Sequence, residues 1–357
     1  MDFRRALLKG SNRVPVPSPS LKTNHRQPRN QTRSSKPNLL KDPKAEQNNR
    51  DWQDLPPDLM LSILQRLHWY DVVMNAKKVC KYWLTLCKDP ALWRIVDIRD
   101  DILLKKLWEK KKSVQHNKAK PSDQELEKFY QKMSMLVVDL SRGNLLQLCI
   151  QNHGSDYLLQ YIYHRSSQLK CLQLENCFVG DYYYCYTRGY NPYISSEGLI
   201  QMLKNLPLLE ELHLFYTRIS GEGIEVAGRC CPNLKSFTWT TRQDNRDIPP
   251  EECDEEALAI AENMPGLQHL QLIGNGITIT GIMAIINSCH DLEYLDLRQC
   301  CCLWEALEDP SVEKKLCQQI KHVRFPEDSL QRRIDVYDGL FYSDYYSDLP
   351  SPRSFQV

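Results

Sequence analysis

At 357 residues the chain has room for two or three domains and a continuous apolar core. The formal net charge of +1 gives no global electrostatic case for nucleic acid or a membrane surface. No apolar run approaches the roughly 18–20 residues that cross a bilayer, and Ala6-Leu7-Leu8 is too short for a secretory signal. The fourteen cysteines are scattered or adjacent, as in Cys230-Cys231 and Cys300-Cys301-Cys302, with no C-x-x-C pair. That spacing argues against a zinc ribbon and suits buried free thiols in a reducing compartment.

Residues 1–50 hold twelve Lys/Arg and three Asp/Glu, +9 by subtraction, which leaves −8 for the rest. The segment is rich in Pro, Ser and Asn and poor in aromatics, so it is expected to be a disordered, solvated basic tail. Residues 51–98 read as a small all-helical unit. Pro57 suits the first turn of a helix that carries Leu59, Met60, Ile63, Leu64 and Leu67. A second helix is expected from Asp71 to Ala76 with Asp71 as its N-cap, and a third from Val79 through Cys87, before Pro90 and Leu92-Trp93. A unit this small is marginal alone and suggests a partner. Residues 99–132, with the run Glu109-Lys-Lys-Lys112, read as a charged helical linker.

From residue 133 to 326 one short pattern recurs. Its clearest copies are Leu209-Glu-Glu-Leu-His-Leu214 and Leu292-Glu-Tyr-Leu-Asp-Leu297, each followed by a helical segment. Copies are assigned to start at Met135, Leu169, Leu209, Leu234, Leu267, Leu292 and Ile320, with units of 25 residues falling in the leucine-rich repeat range. The Leu234 copy carries Phe237 and Trp239 in place of leucines. Cysteines late in the helical segments resemble those of the cysteine-containing subclass and are expected to fill the helix–strand seam as small apolar groups. One such unit cannot bury its apolar face alone, so the expected fold is an α/β solenoid, a short irregular leucine-rich-repeat horseshoe behind a small all-α unit.

Strand alternation points the leucines inward and the residues between them to the concave sheet face. The candidate substrate contacts there are Gln173, Glu175, Glu211, His213, Phe215, His269, Gln271, Tyr294, Asp296, Arg298 and Arg324. Two long insertions follow strands and are expected on one edge of the solenoid. The first contributes Tyr182, Tyr184 and Tyr186 as further candidates. The second comprises Thr241–Pro250 and the acidic run beyond it. His213, His269 and His322 lie on different rungs. Strands about 4.8 Å apart keep them from sharing one ion, so no metal site is expected. There is no phosphate loop, paired-carboxylate spacing or nucleophile triad. Residues 327–357 form an acidic, Tyr-rich C-terminal tail.

"LPPDLMLSILQRL", "VCKYW" and "DPALW", in that order, resemble the F-box. Joined to the repeats, and with Asp51-Trp52 just before the first element, the chain resembles plant F-box/leucine-rich-repeat proteins of the Skp-interacting kind. The resemblance implies a Skp-type adaptor as partner and, through it, a cullin and a RING subunit of a ubiquitin ligase, with the repeats holding a protein substrate. It implies adaptor-facing roles for Leu55, Pro56, Leu59, Ile63, Leu64, Val79, Cys80, Trp83 and Trp93, with Leu67 and Leu92 in the core. Such a receptor is not an enzyme and needs no cofactor, and it is expected in the nucleus or cytoplasm. The competing readings are an F-box scaffold outside the ligase, a nucleic-acid binder acting through the basic tail, and a small-molecule co-receptor. The last is disfavoured by the absence of a dense basic cluster.

Overall fold

The computed structural model describes residues 52–99, 123–177, 194–216, 219–240 and 254–328. The expectations for the basic tail, the Glu109–Lys112 run, Tyr182, Tyr184, Tyr186, the second insertion and the tail beyond 328 lie outside them.

Helix α1 (Pro57–Leu64) starts on Pro57, whose missing N–H costs nothing in a first turn. Met60 and Leu64, four apart, are both fully buried, so one stripe of the helix faces inward. Helix α2 (Trp69–Met74) begins earlier than the sequence suggested. His68 Nδ1 caps it by accepting the Tyr70 N–H at 3.3 Å, while Asp71 lies in the first turn and accepts from Asn75 Nδ2 at 2.7 Å. Helix α3 (Lys81–Leu86) is capped by Cys80 Sγ, which accepts the Trp83 N–H at 3.5 Å. A 3-10 turn over Pro90–Trp93 follows, with Asp89 capping Ala91.

The helical unit runs into a strand. Strand β1 (Ile95–Ile98) pairs in parallel with β2 (Gln147–Gln151), and the Leu146 N–H donates to the Arg94 carbonyl at 2.8 Å. The helical unit is therefore built into the first rung of the sheet. Between these strands, helix α4 (Asp123–Ser141) packs on the Pro90–Trp93 turn. Met135 sits inside α4, so the first repeat does not start there. The helix buries Tyr130, Met133, Val137 and Val138 and ends at Arg142 and Gly143, whose φ values are 49° and 85°. The first copy of the pattern is instead Leu145-Leu-Gln-Leu-Cys-Ile150.

Six further strands follow: β3 (Cys171–Glu175), β4 (Glu211–Phe215), β5 (Ser236–Thr240), β6 (His269–Gln271), β7 (Tyr294–Asp296) and β8 (His322–Arg324). Among the described residues they form one parallel sheet whose order is the chain order, β1 to β8. Each strand from β2 starts two residues after the first apolar residue of its pattern, and Leu145, Leu169, Leu209, Leu234, Leu267, Leu292 and Ile320 are all buried. The Leu234 copy is a regular rung, with Phe237 fully buried.

Helices α5 (Asp156–Tyr163), α6 (Ser196–Lys204), α7 (Gly221–Cys230), α8 (Glu255–Asn263) and α9 (Ile279–Ser288) stack in turn behind the sheet. Two short helices, α10 (Trp304–Leu307) and α11 (Pro310–Gln319), precede β8. Carboxylates tie successive helices together. Asp156 accepts the Ser195 N–H at 2.8 Å and its hydroxyl at 2.7 Å. Asp254 holds the Thr278 N–H at 2.8 Å and the Thr278 hydroxyl in the same way. Ser195 and Thr278 are themselves the N-caps of α6 and α9, so each carboxylate orients the start of the next helix.

The seam cysteines behave as small buried groups. The Cys231 thiol donates to the Leu206 carbonyl at 3.6 Å and the Cys289 thiol to Met264 at 3.4 Å. Among the described residues all cysteines are free thiols, and no helix is long and apolar enough to cross a membrane.

Candidate protein-interaction surfaces

One exposed stripe of α1 is apolar. Leu59 is 56% exposed and Ile63, one turn on, 38%, forming a stripe about 100° round the helix from the buried Met60–Leu64 stripe. Val79, before α3, is 50% exposed. The Tyr82 hydroxyl donates to the Leu55 carbonyl at 2.8 Å, fixing the Leu55-Pro56 segment beside the start of α3. Isolated exposed leucines are ordinary, but aligned apolar residues on a helix with a saturated inner face suit a partner surface.

Four assignments need correction. Leu64, Trp83 and Trp93 are buried and hold the helical unit together rather than facing outward. Trp93 shows why: its indole N–H donates to the Cys87 carbonyl at 2.9 Å, so the ring enters the core with its polar group satisfied. Leu67, assigned to the core, is 41% exposed, because α1 ends at Leu64 and the chain turns before Leu67 completes the inner stripe. Leu92 is in the core, and half-buried Cys80 is occupied as a helix cap.

The concave face is also different from a wet sheet surface. Gln173, Glu175, His213, Phe215, Gln271, Asp296 and Arg298, all taken as substrate contacts, are buried. The cause is lateral. In-register parallel strands bring equivalent positions side by side, and Gln173, Glu175, His213 and Gln271 bond along the rows, while Asp296 and Arg298 pair along their own stretch of chain. Gln151 Nε2 donates to Glu175 Oε1 at 2.9 Å, the Cys149 thiol to Gln173 Oε1 at 3.7 Å, and the Thr238 hydroxyl to Gln271 Oε1 at 2.8 Å. His213 Nδ1 lies 2.8 Å from Thr238 Oγ1. Burial pushes the Cys149 thiol up to about 12 and raises Tyr294, with the Asp296 charge adding to it.

Accessible concave positions remain in the row of first strand residues and at the last rung. Glu211, His269 and Tyr294 are half-buried, and His322 and Arg324 are exposed. The His269 and Tyr294 rings stack across β6 and β7 at 6.2 Å. The first insertion departs after Cys177, whose carbonyl accepts the Ile194 N–H at 2.8 Å, so its two ends meet. The two insertions leave the described chain beyond the C-terminal ends of β3 and β5, next-but-one parallel strands of the sheet. Cys171, which strand alternation also puts on the concave face, is the register partner of Glu211 and stands with Glu211 and His213 in one cluster. Cys171 and Glu211 hold the same repeat position, and His213 the next concave one on its strand.

An F-box-like family model matches residues 52–99. The Arabidopsis thaliana F-box protein SKIP19 is 36% identical over 286 residues, covering 80% of this chain and 80% of its own. Putative F-box/LRR-repeat protein 22 of the same plant is 36% identical over 303 residues, covering 84% of each chain. Putative F-box/LRR-repeat protein 23 is 38% identical over 293 residues, or 82% of this chain and 56% of its own. These similarities run through both the helical unit and the repeats, and the chain belongs to the plant F-box/leucine-rich-repeat family.

Proposed function

We propose that the chain is the substrate-receptor subunit of a Skp–cullin–F-box ubiquitin ligase, working in the nucleus or cytoplasm. The observation that carries this reading is the exposed apolar Leu59–Ile63 pair on a helix already anchored to the core by the fully buried Met60 and Leu64. Leu55, Pro56, Leu59, Ile63 and Val79 face the Skp-type adaptor, which brings the cullin and RING subunit. Glu211, His269, Tyr294 and Arg324 on the concave side, with the Tyr-rich insertion, receive a protein substrate. The receptor itself performs no bond chemistry. It raises the rate of ubiquitin transfer by holding the substrate near the conjugating enzyme. Because β1 joins the F-box to the sheet, adaptor and substrate sit at a set separation.

The test is affinity purification of the full chain beside Leu59→Ala/Ile63→Ala, followed by mass spectrometry. Point substitutions are preferable to deleting residues 51–98, which would remove β1 and expose the edge of β2. Adaptor and cullin are expected on the intact chain and lost from the variant, while substrate proteins stay bound to both. An intact chain without adaptor would overturn the reading.

A further inference from the structure

We propose that Cys171, Glu211 and His213 form a binding site for a borderline divalent metal ion, zinc foremost. Cys171 and Glu211 are register partners on β3 and β4, and His213 follows Glu211 by two residues, so all three side chains share the concave face. One ligand atom from each lies within 4.8 Å of the others. His213 Nε2 is 3.4 Å from Glu211 Oε2. Zinc bonds to S, N and O donors set tetrahedral donor separations of about 3.3–3.7 Å. One pair already has that spacing, and small side-chain rotations bring in the third.

A directed hydrogen-bond row decides which nitrogen of His213 faces the cluster. Asp296 pairs with Arg298 and accepts the Tyr294 hydroxyl at 3.3 Å. Gln271 Oε1 accepts the Thr238 hydroxyl at 2.8 Å. Thr238 has one hydroxyl proton, and Gln271 takes it. At 2.8 Å, Thr238 Oγ1 therefore accepts from His213 Nδ1–H. That leaves Nε2 facing the Glu211 carboxylate, and the two atoms can share a proton or a metal ion. A proton serves that pair alone, whereas a metal ion also engages Cys171. Imidazoles that bind metals are characteristically held by donation from the remote N–H.

The donor set selects the metal. Thiolate with imidazole and one carboxylate suits zinc and excludes magnesium and calcium, which require oxygen donors. Cys171 and His213 are buried and Glu211 is half-buried, so entry and the fourth coordination position lie on the Glu211 side. Gln173, the register partner of His213, has a buried Nε2 with no hydrogen-bond partner, suited to a water on that fourth position. Coordination replaces the Cys171 thiol proton, which leaves to solvent. This inference stands apart from the ligase reading, because it needs no adaptor and no substrate.

The test uses the full chain, metal-free and reduced, titrated with Co2+ as the spectroscopic probe and then with Zn2+. One equivalent is expected to give thiolate-to-cobalt charge-transfer absorption and tetrahedral ligand-field bands, both displaced by Zn2+. Cys171→Ser and His213→Gln should abolish these bands, and Cys301→Ser/Cys302→Ser, at exposed thiols, should keep them. Thr238→Val touches no metal but frees the His213 ring, and should weaken zinc binding about 10–100-fold. Glu211→Gln provides the comparison if Cys171→Ser loses its native circular dichroism. Undiminished thiolate bands in folded Cys171→Ser or Glu211→Gln, or none in the folded intact chain, would overturn the proposal.

Discussion

Asp296 at the end of β7 and Arg298 two residues later form an ion pair sealed from solvent. Nη2 is 2.7 Å from Oδ2 and Nε is 2.9 Å from Oδ1, with side chains 0% and 2% exposed. Removing one partner strands the other charge in the interior, at a cost of about 3–5 kcal/mol. Arg298→Met is expected to lose that much in urea unfolding. Adding Asp296→Leu should recover most of the loss, since no lone charge remains. A double variant no more stable than the single one would contradict this account.

The carboxylate between α5 and α6 makes a second prediction. A Cβ at Gly198 would lie 2.0 Å from Asp156 Oδ1. The carboxylate must then leave the Ser195 N–H and hydroxyl it holds. Losing such a cap costs about 1 kcal/mol before any clash is counted. Gly198→Ala should therefore destabilise by more than that, while Gly266→Ala, with nothing within 4 Å of the new Cβ, should be neutral or mildly stabilising. In a double-mutant cycle, Asp156→Ala with Gly198→Ala should cost less than the sum of the two. Strict additivity would show that the contact does not matter.

The repeat rungs from Leu169 onward were legible because leucine spacing alone sets which residues enter the core. The first was not. Met135, Val138 and Leu140 fit the rung pattern but equally suit a helix, and with no Gly or Pro between Asp123 and Ser141 the helix prevails. Strand β1 was hidden for another reason: four residues of Ile-Val-Asp-Ile become a strand only by pairing with β2, some fifty positions away. Alternation correctly put Gln173, His213 and Asp296 on the concave face, but it cannot say whether that face is wet. That depends on whether neighbouring side chains are long enough to bond along a row. In the F-box, the motif marked the positions but not their direction, so Trp93 was assigned outward although its N–H had a carbonyl waiting inside.

Buried thiols predict an alkaline weakness. Burial pushes Cys177 and Cys231 up to about 12 and Cys289 up to about 11, from an ordinary 9.0. Between those limits the unfolded chain has released protons that the folded chain keeps. Their contribution is therefore fully present below pH about 9 and is lost as pH rises, by about 1.4 kcal/mol per pH unit for each thiol. Under reducing conditions the urea midpoint should fall steadily above that pH, and Cys177→Ala should make the fall shallower. A midpoint that does not move on going about one unit above the ordinary thiol range would contradict the burial of these groups.

The F-box separates docking from folding within one helical unit. Leu59 is 56% exposed and Val79 50%, so Leu59→Ala and Val79→Asp remove little from the interior. Each should leave the unfolding free energy in urea within about 0.5 kcal/mol of the parent, as surface changes do. Adaptor capture by the full chain should nevertheless drop by at least tenfold. Trp93 is 2% exposed and bonded to Cys87, and Trp93→Ala should cost about 3–5 kcal/mol. Because β1 starts two residues later, that loss should also loosen the first rung, seen as faster amide exchange in β1 and β2. Tyr82→Phe falls between these cases. It removes the 2.8 Å bond to the Leu55 carbonyl, costs about 1 kcal/mol, and should weaken capture by freeing Leu55-Pro56 rather than by removing a contact. If Leu59→Ala destabilised the chain as much as Trp93→Ala does, α1 would have to pack by its outer face, and that face would not be open to an adaptor.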